Sequence, residues 1–347
     1  MNIDSLIRPN IRKLKPYSPA RSLYQSGTFF DANENAFGST VGLPGYYELN
    51  RYPDPSSSEL RGALARFVGM SAKNIFTGNG SDEVIDLLIR IFAGPGEKVA
   101  IVEPTYGMYR VAADTAGIEA ISLPLDKEFQ LNVVEVLKNV SSKVKIVFLC
   151  SPNNPTGNLL RTADIERMCE GFDGIVVVDE AYIEFASAPS LARKVSRSKN
   201  LVVMRTLSKA WGLAGIRIGY AVADEEIIKY LDKVKSPYNV NRISSALAVW
   251  ALQNESDMET MRKSAINERV RLAKELNALG FTVFPSEANF LLVKYPGISK
   301  VAKSLAVQDG IIVRDFGNTP MLEDCIRITV GTREQNLLLF ETLKKRL

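Results

Sequence analysis

Lys209 stands in the segment Thr206-Leu207-Ser208-Lys209-Ala210-Trp211-Gly212-Leu213-Ala214-Gly215-Ile216-Arg217-Ile218-Gly219. It follows an apolar run, Leu201-Val202-Val203-Met204, that reads as a buried strand. An amine condenses with an aldehyde only when neutral, and burial near other cations removes its proton more easily. Ser208, Thr206 and Arg217 supply hydroxyl and guanidinium donors suited to holding a phosphate. The stretch therefore suits a Schiff-base lysine beside a phosphate clamp, although an ordinary loop lysine reads the same way when taken alone.

Further segments place chemistry at the ends of candidate strands. Thr77-Gly78-Asn79-Gly80-Ser81-Asp82-Glu83 is a glycine-containing loop running into a helix, with Ser81 expected as its N-cap. Glycine permits close backbone approach, and free N–H groups with the helix dipole attract an anion. The same loop could end a strand for structural reasons alone. Ser151-Pro152-Asn153-Asn154-Pro155-Thr156-Gly157 is either a rigid two-proline turn or one that aims an asparagine at a ligand beyond the strand ends. Asp179 closes the run Ile175-Val176-Val177-Val178, and Tyr182 follows three residues later. A buried carboxylate is costly unless it meets a cation or strong donors, and a protonated pyridine nitrogen would serve. Tyr106 could stack on a planar ring or simply fill core.

The elements that must carry these residues alternate between apolar runs and helical patterns from about residue 74 to 222, the signature of βαβ units and a mostly parallel sheet. Strands are expected over 99–103, 118–123, 144–150, 174–178, 201–204 and 216–222, with helices over 81–92, 106–116 and 163–169. Beyond Ser236-Pro237 a long helix over 241–279 is expected, then short strands over 282–284, 289–293, 311–313 and 326–329 and helices over 299–308 and 333–345. The fold class is α/β: a large domain over 31–240, a smaller α+β domain over 241–347, and a proline-rich arm over 1–30 packing on the small domain or a partner. An active site between the two domains is expected.

Composition excludes several classes. A net charge of +4, from 43 basic and 39 acidic residues, argues for neither nucleic acid nor membrane. Cys150, Cys169 and Cys325 have no metal-binding or disulfide spacing. No apolar stretch is long enough to span a membrane and no signal-peptide pattern opens the sequence, so a cytoplasmic setting is expected. The chain has no histidine, so any proton shuttle must be Lys, Tyr, Asp, Glu or Cys.

Taken together these motifs resemble the fold-type-I pyridoxal-phosphate aminotransferases over nearly the whole chain. The resemblance implies pyridoxal 5'-phosphate as cofactor, joined to Lys209, with Asp179 keeping the pyridine nitrogen protonated. It implies Tyr182 and Asn154 at the ring hydroxyl, Tyr106 on the ring, and Gly80, Ser81, Asp82, Thr206, Ser208 and Arg217 around the phosphate. The finer pattern is similar to the histidinol-phosphate aminotransferase family, through Phe30-Asp31-Ala32-Asn33-Glu34-Asn35, Arg51-Tyr52-Pro53-Asp54, Val313-Arg314-Asp315 and Cys325-Ile326-Arg327-Ile328-Thr329-Val330-Gly331-Thr332. That likeness implies a homodimer with shared sites, in which Tyr52 reaches the partner's cofactor phosphate. It implies Tyr17, Asn33, Arg314 and Arg327 as substrate binders, and transamination between histidinol phosphate and 2-oxoglutarate. Aromatic amino-acid aminotransferases and threonine-phosphate decarboxylases share nearly all these motifs. A cofactor-sensing regulator would also need a DNA-binding domain, for which residues 1–30 are too short.

Overall fold

The computed structural model describes residues 2–12 and 49–347. Seven strands form the large sheet: β1 (Ile75–Asn79), β2 (Lys98–Glu103), β3 (Glu119–Pro124), β4 (Val144–Cys150), β5 (Ile175–Asp179), β6 (Leu201–Thr206) and β7 (Ile218–Val222). Their order is β1-β7-β6-β5-β4-β2-β3, and β7 alone runs against its neighbours.

Strand alternation splits the apolar residues between two cores. Ile146, Phe148, Ile175, Val177, Val202 and Met204 face α4 (Ser81–Phe92), α5 (Met108–Thr115) and α8 (Glu225–Val234). Val147, Leu149, Val176, Val178 and Val203 face the opposite way, toward α3 (Ser58–Val68), α6 (Val133–Asn139), α7 (Thr162–Gly171) and α9 (Arg242–Gln253). With both faces covered, the central strands are apolar throughout rather than alternating. A smaller antiparallel sheet follows, in the order β10 (Arg314–Asp315), β11 (Cys325–Thr329), β9 (Phe290–Lys294), β8 (Thr282–Val283). Its core joins Leu272 and Leu276 of α10 (Glu255–Ala278), Ile298 of α11 (Ile298–Ser304) and Leu339 and Leu343 of α12 (Arg333–Arg346). The expected α/β class, a large mostly parallel sheet with a smaller α+β unit, is borne out.

Several elements differ from expectation. The helix expected over 241–279 is two, because Asn254 leaves helical geometry at φ −120°, ψ 51° and ends α9. No strand forms over 311–313; Ile312 is 84% exposed, and pairing begins at Arg314. The helix expected over 299–308 ends at Ser304 and widens into a π turn over Leu305–Asp309. The structure adds β1, α3, α6 and α8 to the expected elements. Of the N-terminal arm, the two short helices α1 (Ile3–Leu6) and α2 (Pro9–Arg12) pack on the large sheet's helices, and residues 13–30 lie outside the described residues. Ile7 and Ile11 join the α4–α8 core, and Tyr230 Oη donates to Asp4 Oδ1 at 2.6 Å.

Candidate active site

β7 lies between β1 and β6 and runs against both, so the carboxyl ends of β1 and β6 meet the start of β7 at one edge of the sheet. Residues 207–217 join β6 to β7, which returns the chain to its starting level. Lys209 and Arg217 therefore sit at the same end despite their separation in sequence. The pairing of Asn79 with Ile218 brings the first turn of α4 onto the same spot. Two glycines make the approach possible. A Cβ at Gly219 would lie 2.1 Å from Ser81 N. Gly80 has φ 81° and ψ 163°, a region open to glycine, and a Cβ there would lie 2.5 Å from Arg217 Nη2. Ser81 is not the N-cap: Gly80 holds that position, no side chain caps the helix, and the N–H groups of the first turn are left for an anion. Arg217 Nη2 donates to Asp82 Oδ2 at 3.0 Å, and Ser208 N donates to Thr206 Oγ1 at 3.1 Å.

Asp179 has the same parity along β5 as Ile175 and Val177, so its carboxyl points to the α4–α5 side, as does Thr206 at the end of β6. It is 3% exposed. Ala181 N donates to Oδ1 at 3.0 Å and Tyr109 Oη to Oδ2 at 2.8 Å. Among the described residues no cation is within ion-pair distance. Burial pushes this carboxyl up to about 6, against the pull of the two hydrogen bonds. Such a group is set to receive a cation. Lys209 Nζ makes no hydrogen bond or ion pair among the described residues and lies 5.6 Å from the centroid of the Tyr182 ring. Surrounding protein atoms, then the charge of Arg327, hold the amine below the ordinary lysine range. The side chain is open to the cavity, so solvent moderates that push. Burial raises the phenol of Tyr182, and raises that of Tyr106 to about 12.

At the far end Arg314 and Arg327 are direct cross-strand partners on β10 and β11. Facing like charges are unfavourable, and the arrangement calls for an anion. Arg327 Nη1 donates to Asn154 Oδ1, and its guanidinium lies 5.3 Å from the centroid of the Phe290 ring. Burial, with the charge of Arg314, lowers its proton affinity.

One cavity of about 710 Å³ is lined by Ser81, Asp82, Tyr106, Asn154, Asp179, Tyr182, Thr206, Ser208, Lys209, Arg217, Arg314 and Arg327. Gly80 lies immediately behind Arg217. Tyr52 is not on this cavity; it is 45% exposed and stacks on Tyr238 with centroids 4.4 Å apart. Tyr17 and Asn33 lie outside the described residues. Sequence reasoning missed Tyr109, which sits in the first turn of α5 three residues after Tyr106, a nearness in sequence that could have flagged it. An amine, a buried carboxylate and an anion cradle around one cavity suit a flat aldehyde carrying a basic ring nitrogen and a phosphate.

Comparison with known proteins agrees. The family model for aminotransferase class I and II matches residues 47–343. A histidinol-phosphate aminotransferase of Cytophaga hutchinsonii is 44% identical over 348 residues, 99% of each chain. One of Bacteroides thetaiotaomicron is 44% identical over 349 residues, 99% of this chain and 98% of the relative. Among solved structures, the histidinol-phosphate aminotransferase of Sinorhizobium meliloti in complex with pyridoxal-5'-phosphate is 26% identical with a TM-score of 0.81, covering 91% of this chain and 89% of that one.

Proposed function

Because the chain belongs to the class I and II aminotransferases, and within them to the histidinol-phosphate aminotransferases, we propose that it uses pyridoxal 5'-phosphate to move the amino group of L-histidinol phosphate to 2-oxoglutarate, yielding imidazole-acetol phosphate and glutamate. The observation that carries the substrate reading is the Arg314–Arg327 pair, set on the small sheet and opening on the same cavity as Lys209. Both substrates bring an anion to it, a phosphate in one half-reaction and a carboxylate in the other, and a guanidinium pair can hold either by paired hydrogen bonds.

The first turn of α4, Thr206, Ser208 and Arg217 would hold the cofactor phosphate, Asp179 the ring nitrogen, and Asn154 and Tyr182 the ring hydroxyl. Bound there, the cofactor supplies an aldehyde for amine exchange and a protonated ring that draws electrons from the reacting carbon. Lys209 is the attachment point, and once free its Nζ takes the proton from the amine-bearing carbon. Its lowered proton affinity keeps more of the amine in the neutral, working form at a given pH. Asp179 stays ionised to hold a cation at the ring nitrogen. Tyr106, which lines the cavity, would cover a ring face, and Arg327, through its bond to Asn154, would tie the substrate end to the cofactor end. Histidinol phosphate has no carboxylate on its reacting carbon, so decarboxylation does not compete.

We further read the chain as a homodimer with shared sites, since Tyr52 is exposed and away from its own cavity, as a residue serving a partner would be. Its three cysteines are buried and unpaired, which suits the reducing cytoplasm. No helix among the described residues is long and apolar enough to cross a membrane. Single-turnover absorbance of the holoenzyme tests the substrate assignment, with histidinol phosphate, phenylalanine and threonine phosphate offered separately. Conversion of the bound cofactor by histidinol phosphate at a rate far above the others supports it. Preference for phenylalanine, or carbon dioxide release from threonine phosphate, overturns it.

A further inference from the structure

Tyr109 lies one layer behind the cavity. It is fully buried and does not line the cavity. Its ring stacks on Phe148 of β4 with centroids 4.9 Å apart and planes at 7°, and the edge of Tyr106 packs against it at 5.6 Å. This sandwich fixes the ring, and so fixes the direction of its hydroxyl, which donates to Asp179 Oδ2 at 2.8 Å. We infer that Tyr109 is a positioning residue: a rigid, uncharged donor that orients the Asp179 carboxylate and keeps it ionised for the cofactor's ring nitrogen. The inference rests on the cofactor reading given above.

Asp82 approaches Asp179 from α4, Lys209 from the β6–β7 connection, Cys150 from the end of β4, Tyr106 from the loop ahead of α5, Tyr109 from α5, and Tyr182 from beyond β5. Lys209 is the one cation in that set, and it is committed to the aldehyde end of the site. Asp82 repels the charge on Asp179. Cys150 gives its S–H to Pro152 O at 3.3 Å. The carboxylate is therefore held by two neutral donors, the backbone N–H of Ala181 and the phenol of Tyr109. Hydrogen bonds to the charged form favour it. Burial and the neighbouring carboxylate push the Tyr109 phenol well above its usual range, so this donor does not titrate near neutrality. An imidazole in its place would titrate there, and this chain has no histidine.

Tyr109→Phe removes the hydroxyl and leaves the ring stack, which makes it a clean test. Binding of pyridoxal 5'-phosphate to the apoprotein would be measured by equilibrium dialysis from pH 5.5 to 9, alongside thermal melting. Without its donor Asp179 holds its proton to higher pH, and cofactor binding must displace that proton. The expected result is an affinity about tenfold below wild type at pH 6.5, converging on wild type by pH 9, with an unchanged melting temperature. Superimposable binding profiles overturn the inference. So does a loss that is equal at every pH and accompanied by a lower melting temperature, because that pattern belongs to packing. A wild-type protein that binds no cofactor at any pH overturns the underlying reading as well, which separates the two failures.

Discussion

Replacing Gly80 with alanine probes the anion cradle at its tightest point. Two effects follow from the geometry, and they separate. The first is conformational: φ 81° with ψ 163° is a region that side-chain-bearing residues avoid, at a cost of about 1–3 kcal/mol. The second is steric. The new Cβ would sit 2.5 Å from Arg217 Nη2, but that atom ends a long, half-exposed side chain, so the guanidinium yields before the backbone does. Its displacement costs little stability, because the ion pair it makes with Asp82 is solvent-exposed.

Stability therefore falls by the conformational cost alone, a few degrees in melting temperature for a protein of this size. Phosphate binding bears the second effect. Losing one charge-assisted hydrogen bond, about 1.5–3 kcal/mol, weakens pyridoxal 5'-phosphate binding about 10- to 100-fold. Pyridoxal, which has no phosphate, serves as the internal control and should lose little affinity. Fluorescence titration of the apoprotein with both compounds reads the difference. Equal losses for the two, or none for either, would refute the placement of the phosphate beside Gly80 and Arg217.

Lys209→Ala should abolish turnover while leaving the melting temperature within a few degrees; near-normal rates would remove the lysine from its assigned role. Arg327→Ala should impair both half-reactions, since one guanidinium serves both anions and also holds Asn154; a defect confined to the glutamate side would contradict that sharing. Glu180 carries the pH prediction: burial pushes its carboxyl up to about 7, above the 4.5 of an unperturbed glutamate. The folded state therefore binds this proton more tightly than the unfolded one, and its contribution to stability is lost as pH rises from about 4.5 to 7. Glu180→Gln, which preserves an acceptor for Leu191 N, should flatten the melting-temperature profile across that window.

The parts of this site that the sequence exposed are those that chain connectivity alone determines. Asp179 ends a strand and Lys209 follows one, so in a parallel sheet both must emerge at the carboxyl edge. Arg217 was grouped with Lys209 as a phosphate donor close in sequence, although the strand expected from residue 216 begins only after it, at Ile218. Tyr109 was hidden, since its link to Asp179 joins residues 70 apart in sequence, and a tyrosine in a helix reads as core. Glu180 and Arg205 were hidden for the converse reason. Both were part of apolar-looking strand motifs, yet strand alternation sends Arg205 to the opposite face, into a buried ion pair with Glu184 at 2.8 Å. The short strand β10 escaped because its two residues are polar and partly exposed, and only pairing with β11 defines it.

Among the described residues a single cavity receives four cationic side chains, Lys209, Arg217, Arg314 and Arg327, and two carboxylates, Asp82 and Asp179. The excess of positive charge draws in anionic ligands, but the cations are not interchangeable. Arg217 is turned back on Asp82 at the helix end, while Arg314 and Arg327 are fixed on the separate small sheet. On the proposed function, two anion sites on two units, with an amine between them, would select molecules by length as well as charge. Burial pushes the phenols of Tyr106 and Tyr182 up, which keeps both neutral near neutrality. Lys209 opens on the same cavity with its proton affinity lowered by burial and by Arg327, the property that the proposed proton carrier of a chain without histidine must have.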